Sequence, residues 1–179
     1  LMGRPMVDRL LEAGYDVTVW NRSSRKVISA VANGATKAAN VAELVSAVDL
    51  VLMCLTDSTA VEKVVFGEDG VASGAADDKL LVDFSSIRPD VTRKFAARLK
   101  VETGMSWVDA PVSGGEIGAV AGTLAIMAGG EVEDVERVRP IVAVFSQRFT
   151  RMGEIGAGQV TKLCNQIIVA SNVAAMAEA

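Results

Sequence analysis

Histidine is absent from the sequence. Any proton transfer near neutral pH therefore falls to lysine, tyrosine, a carboxylate or water. Cysteine is scarce: Cys54 falls in an apolar, strand-like run and Cys164 in a helix-like one. Two cysteines without metal-ligand spacing form neither a zinc site nor a disulfide framework, so no metal is expected. They read as buried free thiols, which fits a reducing, cytoplasmic setting. Positive charge is not in excess, the formal net charge being −4. There is thus no electrostatic ground for nucleic acid or an anionic membrane as partner. No apolar run approaches the roughly 20 residues needed to cross a bilayer; the longest, 167–179, is interrupted by Ser171, Asn172 and Glu178. Internal repeats, low-complexity tracts and flexible linkers are missing as well. The chain starts at Leu1-Met2-Gly3, and the expectation is a piece of a longer protein, for which the lack of a leader carries no information.

What remains is a chain of 179 residues, half of them hydrophobic, enough for one domain with a proper core. Apolar periodicity predicts a helix over 4–13 that stops at Gly14, then a strand over 16–20. A helix over 24–33, a short strand around Thr36, a helix over 41–46 and an apolar strand over 50–54 follow. A helix over 59–66 leads to a strand over 80–84, and Pro89 opens a helix that reaches about 102. Further on, the pattern predicts a strand end at 108–111, a strand over 124–128, a helix over 132–144 bent at Pro140 and a strand over 149–152. Such alternation predicts right-handed βαβ crossovers, hence an α/β fold with a largely parallel sheet. A helix that precedes the first strand implies an earlier strand. The final helix, over 158–179, is apolar almost all round and expects burial on every side, by a second domain or a partner subunit. Its exposed ridge predicts a homo-oligomer.

Three local patterns carry chemistry. Gly3 opens the first helix, and Asn21 and Arg22 end the next strand near the roughly 20-residue offset at which dinucleotide-binding domains read the adenosine ribose. An acidic residue there would repel a 2′-phosphate. The run 21–26 (NRSSRK) instead supplies donors and positive charge, which favours the phosphorylated cofactor, NADP. The motif DAPVSGG at 109–115 offers a hydroxyl and closely spaced backbone N–H groups able to hold a carboxylate. GAGQVTKLCNQ at 156–166 places Lys162, Asn165 and Gln166 near one helix face. A small carboxylate-bearing substrate is the partner these groups suit.

These residues resemble the β-hydroxyacid dehydrogenase family. LMGRPM at the N-terminus is similar to the tail of the family's glycine-rich phosphate turn, and DFSSIRP at 83–89 to its DxS(S/T)xxP segment. DAPVSGG, the nearby GTL at 122–124 and the lysine helix match directly. The resemblance implies a Rossmann-like, doubly wound domain over 1–153, lacking its first strand, and the start of an all-α domain over 154–179. It implies that Lys162 is the proton donor when an aldehyde is reduced, at a pKa lowered by burial. Ser113, Gly114 and Gly115 would hold the substrate carboxylate, with Asn165 or Gln166 as the amide contact. Met2, Gly3, Asn21, Arg22, Ser23, Leu55, Thr56 and Ser86 would contact the cofactor. Thr56 departs from the proline usual at its position, and Gln166 and Asn165 leave open which amide serves. The implied activity is reduction of tartronate semialdehyde to D-glycerate, or the chemistry of 3-hydroxyisobutyrate and other short semialdehydes. A truncated, non-catalytic domain is the alternative of another class.

Overall fold

The computed structural model describes residues 2–179. Helix α1 (Gly3–Glu12) leads to strand β1 (Thr18–Val19), then a 3-10 turn (Ser24–Val27) runs into α2 (Ile28–Ala32). Strand β2 (Thr36–Lys37), α3 (Val41–Ser46), β3 (Leu50–Met53), α4 (Ser58–Phe66) and the single turn α5 (Val71–Gly74) follow. Next come β4 (Leu80–Asp83), α6 (Pro89–Thr103), β5 (Ser106–Asp109), β6 (Val112–Ser113), α7 (Gly115–Ala121) and β7 (Leu124–Gly129). The chain closes with α8 (Val132–Val142), β8 (Ser146–Gly153) and α9 (Ala157–Glu178).

Strands β3, β4 and β5 pair in parallel. Strand β7 runs antiparallel to β5 and β6 in one continuous register, Asp109 opposite Gly129 and Val112 opposite Ile126. The chain thus crosses β7 as one strand interrupted at Ala110 and Pro111; the Pro111 carbonyl accepts from Met127 N. Strand β8 pairs β7 in parallel. Strands β1 and β2 form a separate parallel pair with no ladder to the larger sheet among the described residues.

Strand β4 shows why the sheet is doubly wound. Leu80, Leu81, Val82 and Asp83 are all fully buried, as a strand covered on both faces requires. Leu80 and Val82 join a core made with Met6 and Leu10 of α1 and Val135, Val138 and Val142 of α8. Leu81 points the other way, into a cluster with Val61 and Val65 of α4 and Phe95 and Leu99 of α6. Alternation along one strand therefore feeds two cores. Helix α6 starts at Pro89, whose missing N–H costs nothing there, and ends at Gly104 with φ 78, a left-handed cap.

Several expectations need correction. The strand expected over 16–20 pairs only at Thr18 and Val19, and the one expected over 149–152 runs over Ser146–Gly153. Polar exposed residues such as Gln147 and Arg148 masked that start. The short strand β6 lies inside the DAPVSGG motif and α7 starts on its last glycine, both unforeseen. Past the first turn of α9 most residues are exposed, Ile167 at 59% and Met176 at 80%, the uncovered apolar ridge that the sequence predicts for this chain. Cys164 lies on that outer surface and is exposed, while Cys54 is half-buried; burial pushes the Cys54 thiol up to about 11, with the Asp83 charge adding to it. No helix among the described residues is long and apolar enough to cross a membrane.

Candidate active site

Parallel strands present their carboxyl ends on one edge, and ligands of open α/β sheets bind there. Here the ends of β3, β4 and β5 place Leu55 and Thr56, the 85–87 loop, and Asp109 side by side. The first two are bonded to each other. Ser85 Oγ accepts from Leu55 N at 2.8 Å, and Ser85 N donates to Asp83 Oδ1 at 2.9 Å. Thr56 is exposed and turns its hydroxyl to Asp57 Oδ2 at 3.0 Å, while Ser86 is exposed at the tip of its loop.

Helix α9 docks on this edge. Its N-cap, Gly156, has φ 87 and offers no side chain; the cap comes from another strand. Asp109 Oδ1 accepts from Gly156 N at 2.6 Å and Oδ2 from Gln159 N at 2.8 Å. Both ends of the Gln159 side chain are used as well: Oε1 accepts from Ile87 N at 3.1 Å and Nε2 donates to Ser85 O at 2.8 Å. Asp83, Ser85, Asp109 and Gln159 are each essentially inaccessible. Glycine makes the approach possible. A Cβ at Gly129 would overlap Asp109 Oδ1, and one at Gly158 would lie 2.8 Å from Asp109 Oδ2 and 2.9 Å from its carbonyl oxygen.

Desolvation pushes the Asp83 carboxyl up to about 7, against the bonds from Ser85, and the facing Asp109 charge adds to the rise. Asp109 is pushed up to about 6 by the same burial, opposed by the Gly156 and Gln159 amides. Asp83 Oδ2 has no hydrogen-bond partner, consistent with a carboxyl that stays protonated toward neutral pH.

Lys162 stands one turn beyond Gln159, half-buried, and desolvation holds its ammonium below the usual lysine range. Asn165, three residues on, is half-buried and its Oδ1 is inaccessible without a partner; Gln166 is exposed. Ser113 is half-buried in β6, opposite Ala125 of β7, and the exposed Gly114 and Gly115 take φ 124 and 61, which only glycine adopts readily. Helix α9 packs against that same strand β7.

The remaining residues lie apart. Asn21, Arg22 and Ser23 are exposed beyond β1, where Asn21 Oδ1 accepts from Ser23 N at 3.0 Å. No carboxylate forms an ion pair with Arg22, Arg25 or Lys26 among the described residues. Met2 is the N-cap of α1, and Gly3, its first residue, faces open space. Leu1 lies outside the described residues. Sequence reasoning missed Asp83, Asp109 as a cap, and Gln159. Asp109 and Gln159 sit inside the recognised motifs, yet nothing local says that residues 50 positions apart in the chain touch.

Residues 1–153 match the family described as the NAD binding domain of 6-phosphogluconate dehydrogenase. The chain is 40% identical over its whole length to a 2-hydroxy-3-oxopropionate reductase of Escherichia coli, of which it covers 61%. It is 38% identical to an NAD-dependent L-serine dehydrogenase of Pseudomonas aeruginosa, with 99% of this chain and 59% of that protein covered. The structure of a Mycobacterium tuberculosis 3-hydroxyisobutyrate dehydrogenase with L-serine superposes with a TM-score of 0.92 at 33% identity, over 99% of this chain and 60% of that one. The chain therefore spans about three fifths of the length of the relatives it matches. With its dinucleotide-binding domain, mostly parallel sheet and closing helix that carries a desolvated lysine, the chain belongs to the β-hydroxyacid dehydrogenase family.

Proposed function

We propose that this chain is the cofactor-binding part of an NADP-dependent reductase that converts a short semialdehyde acid to its hydroxy acid, with tartronate semialdehyde as the first substrate. The observation that carries this reading is Lys162: half-buried and desolvated, it stands on a helix anchored to the carboxyl edge of the sheet.

The described residues fit a phosphorylated dinucleotide. Arg22, Arg25 and Lys26 present cations unpaired with any carboxylate, and the first turn of α1 has no acidic residue. Asn21, Arg22 and Ser23 would take the ribose phosphate, Met2 and Gly3 the approach to α1, Leu55 and Thr56 the adenine side, and Ser86 the nicotinamide side. When bound, the cofactor supplies hydride at the carbonyl carbon. Lys162 then gives a proton from its ammonium to the carbonyl oxygen, and the desolvation that lowers its pKa makes that proton easier to release. The Ser113 hydroxyl and the N–H groups of Gly114 and Gly115 receive the carboxylate. Asn165, with its unpartnered oxygen facing inward, accepts from the substrate hydroxyl in preference to the exposed Gln166. The 40% identity to the 2-hydroxy-3-oxopropionate reductase supports the choice of substrate. The free thiols fit a reducing, cytoplasmic location, to be checked by fractionation of the source cells. The apolar ridge of α9 is proposed as the seat of a homo-oligomer.

The test is Lys162→Met in a protein of the relatives' full length that carries this chain. Methionine keeps the helix, so NADPH affinity should stay within a few-fold while turnover of tartronate semialdehyde falls by roughly 10²-fold or more. If only substrate affinity changes and kcat holds, the lysine is a binding group and the proton comes from elsewhere.

A further inference from the structure

We propose that Asp109 and Gln159 are positioning residues that hold Lys162 in register with the loop carrying Ser86, so that the proton donor and the cofactor edge move as one body. The proposal rests on the reading of Lys162 as proton donor. The first turn of α9 needs partners for its free amides: the Asp109 carboxylate takes Gly156 N and Gln159 N, and the Glu154 carbonyl takes Ala157 N. The Gln159 side chain adds nothing to the helix itself. It leaves the helix and takes both backbone groups of another element, Ile87 N and Ser85 O. A primary amide sets a carbonyl acceptor beside an NH2 donor group, which is what a loop with a free N–H and a free C=O needs.

The link continues. Ser85, held by Gln159 through its carbonyl, takes Leu55 N on its hydroxyl. One buried path thus joins the loops after β3, β4 and β5 to α9, and Lys162 lies on the turn that follows Gln159. Little slack remains in it. Glycine at 129 and 158 leaves room for the Asp109 carboxylate and for nothing larger, so α9 has one seating depth. Lys162 inherits that depth because a helix turn is rigid over three residues.

The experiment uses the 179-residue chain labelled with carbon-13 at lysine Cε, with Lys162→Met assigning the Lys162 resonance. Gln159→Met keeps the volume and removes both side-chain bonds. The expected result is a Lys162 resonance displaced toward that of the exposed Lys37, with faster exchange of the Ile87 and Leu55 amides and an unchanged far-ultraviolet spectrum. Should Gln159→Met fail to fold, Gln159→Glu keeps the bond from Ile87 N and sets an oxygen against Ser85 O at neutral pH; the same displacement is expected. In the full-length protein, Gln159→Met should lower kcat by roughly tenfold or more, since small misplacements of a reacting group are costly, while KM for the acid stays within a few-fold. A Lys162 resonance and kcat equal to the parent's, with only the Ile87 amide opened, would overturn the proposal. Loss of the Lys162 reading has a different signature: Lys162→Met keeps kcat, whereas the resonance of Lys162 still responds to Gln159.

Discussion

Replacing Gly158 by alanine opposes two effects of known size. Gly158 is the second residue of α9, and alanine is favoured over glycine in helices by up to about 1 kcal/mol, partly through the unfolded chain. On those grounds the variant should gain stability. The surroundings say otherwise. The new Cβ would overlap the Met127 carbonyl oxygen and lie 2.8 Å from Asp109 Oδ2 and 2.9 Å from Asp109 O. These atoms belong to the backbone or to a fully buried side chain, so α9 must lift away from β7. Overpacking of this kind costs roughly 1–3 kcal/mol. Lifting also stretches the 2.6 and 2.8 Å bonds from Gly156 N and Gln159 N to the Asp109 carboxylate. Hydrogen bonds to a charged group contribute about 1.5–3 kcal/mol each. The net expectation is a loss of about 2–5 kcal/mol. Gly3→Ala is the matched control, because Gly3 also sits in a first helical turn but nothing lies within 4 Å of its would-be Cβ; it should be neutral or stabilising by up to about 1 kcal/mol. Urea unfolding gives both midpoints, and comparable slopes validate the comparison. A Gly158→Ala protein as stable as Gly3→Ala would refute the reasoning.

Three further outcomes follow from the same geometry. The Asp83 carboxyl is held up to about 7 and Asp109 up to about 6, against an ordinary 3.8. The folded state therefore keeps protons that the unfolded chain releases: the stability linked to this pair is full below pH 4 and is lost as pH rises to about 7. Asp83→Asn should be more stable than the parent at pH 8 by about 1–3 kcal/mol, less than the roughly 4 kcal/mol that a three-unit displacement sets as ceiling, because the new amide hydrogens lack a partner. At pH 4.5 the advantage should vanish, and equal unfolding differences at the two pH values would exclude the linkage. For the cofactor, Arg22→Ala at full length should weaken NADPH by roughly 10–100-fold, the worth of a charged hydrogen bond, and leave NADH nearly unchanged; equal effects in a fluorescence titration would remove Arg22 from the phosphate site. On α9, Leu163, Ile167, Ile168, Val173 and Met176 are all more than half exposed, a surface that marks an interface. Velocity sedimentation should show self-association, and a single monomer boundary at about 100 µM would rule out an oligomer built on this ridge.

Much of this architecture was legible in the chain. The runs around Leu50 and Leu80 are apolar at successive positions, so only a strand covered on both faces suits them. Pro89 and Gly104 mark the ends of α6 by their own dihedral preferences. The start of β8 was not legible, because its alternation is carried by exposed Gln147 and Arg148. What covers α9 was not legible either: an apolar helix asks for cover, and only neighbours decide whether it has any. Cys164 followed it out to the surface.

The sequence by itself determined the alternating α/β plan, the glycines that take left-handed backbone at 114 and 115, and the grouping of Lys162 with Asn165 and Gln166. Those are local matters of dihedral freedom and helical spacing. Only the tertiary structure decided that Asn165 turns inward while Gln166 faces solvent. It alone set Asp109 across the chain as the cap of α9 and made Gln159 the tie to the 85–87 loop. The reason is physical: a buried carboxylate or amide states its need for partners, but the fold chooses which backbone groups arrive to meet it.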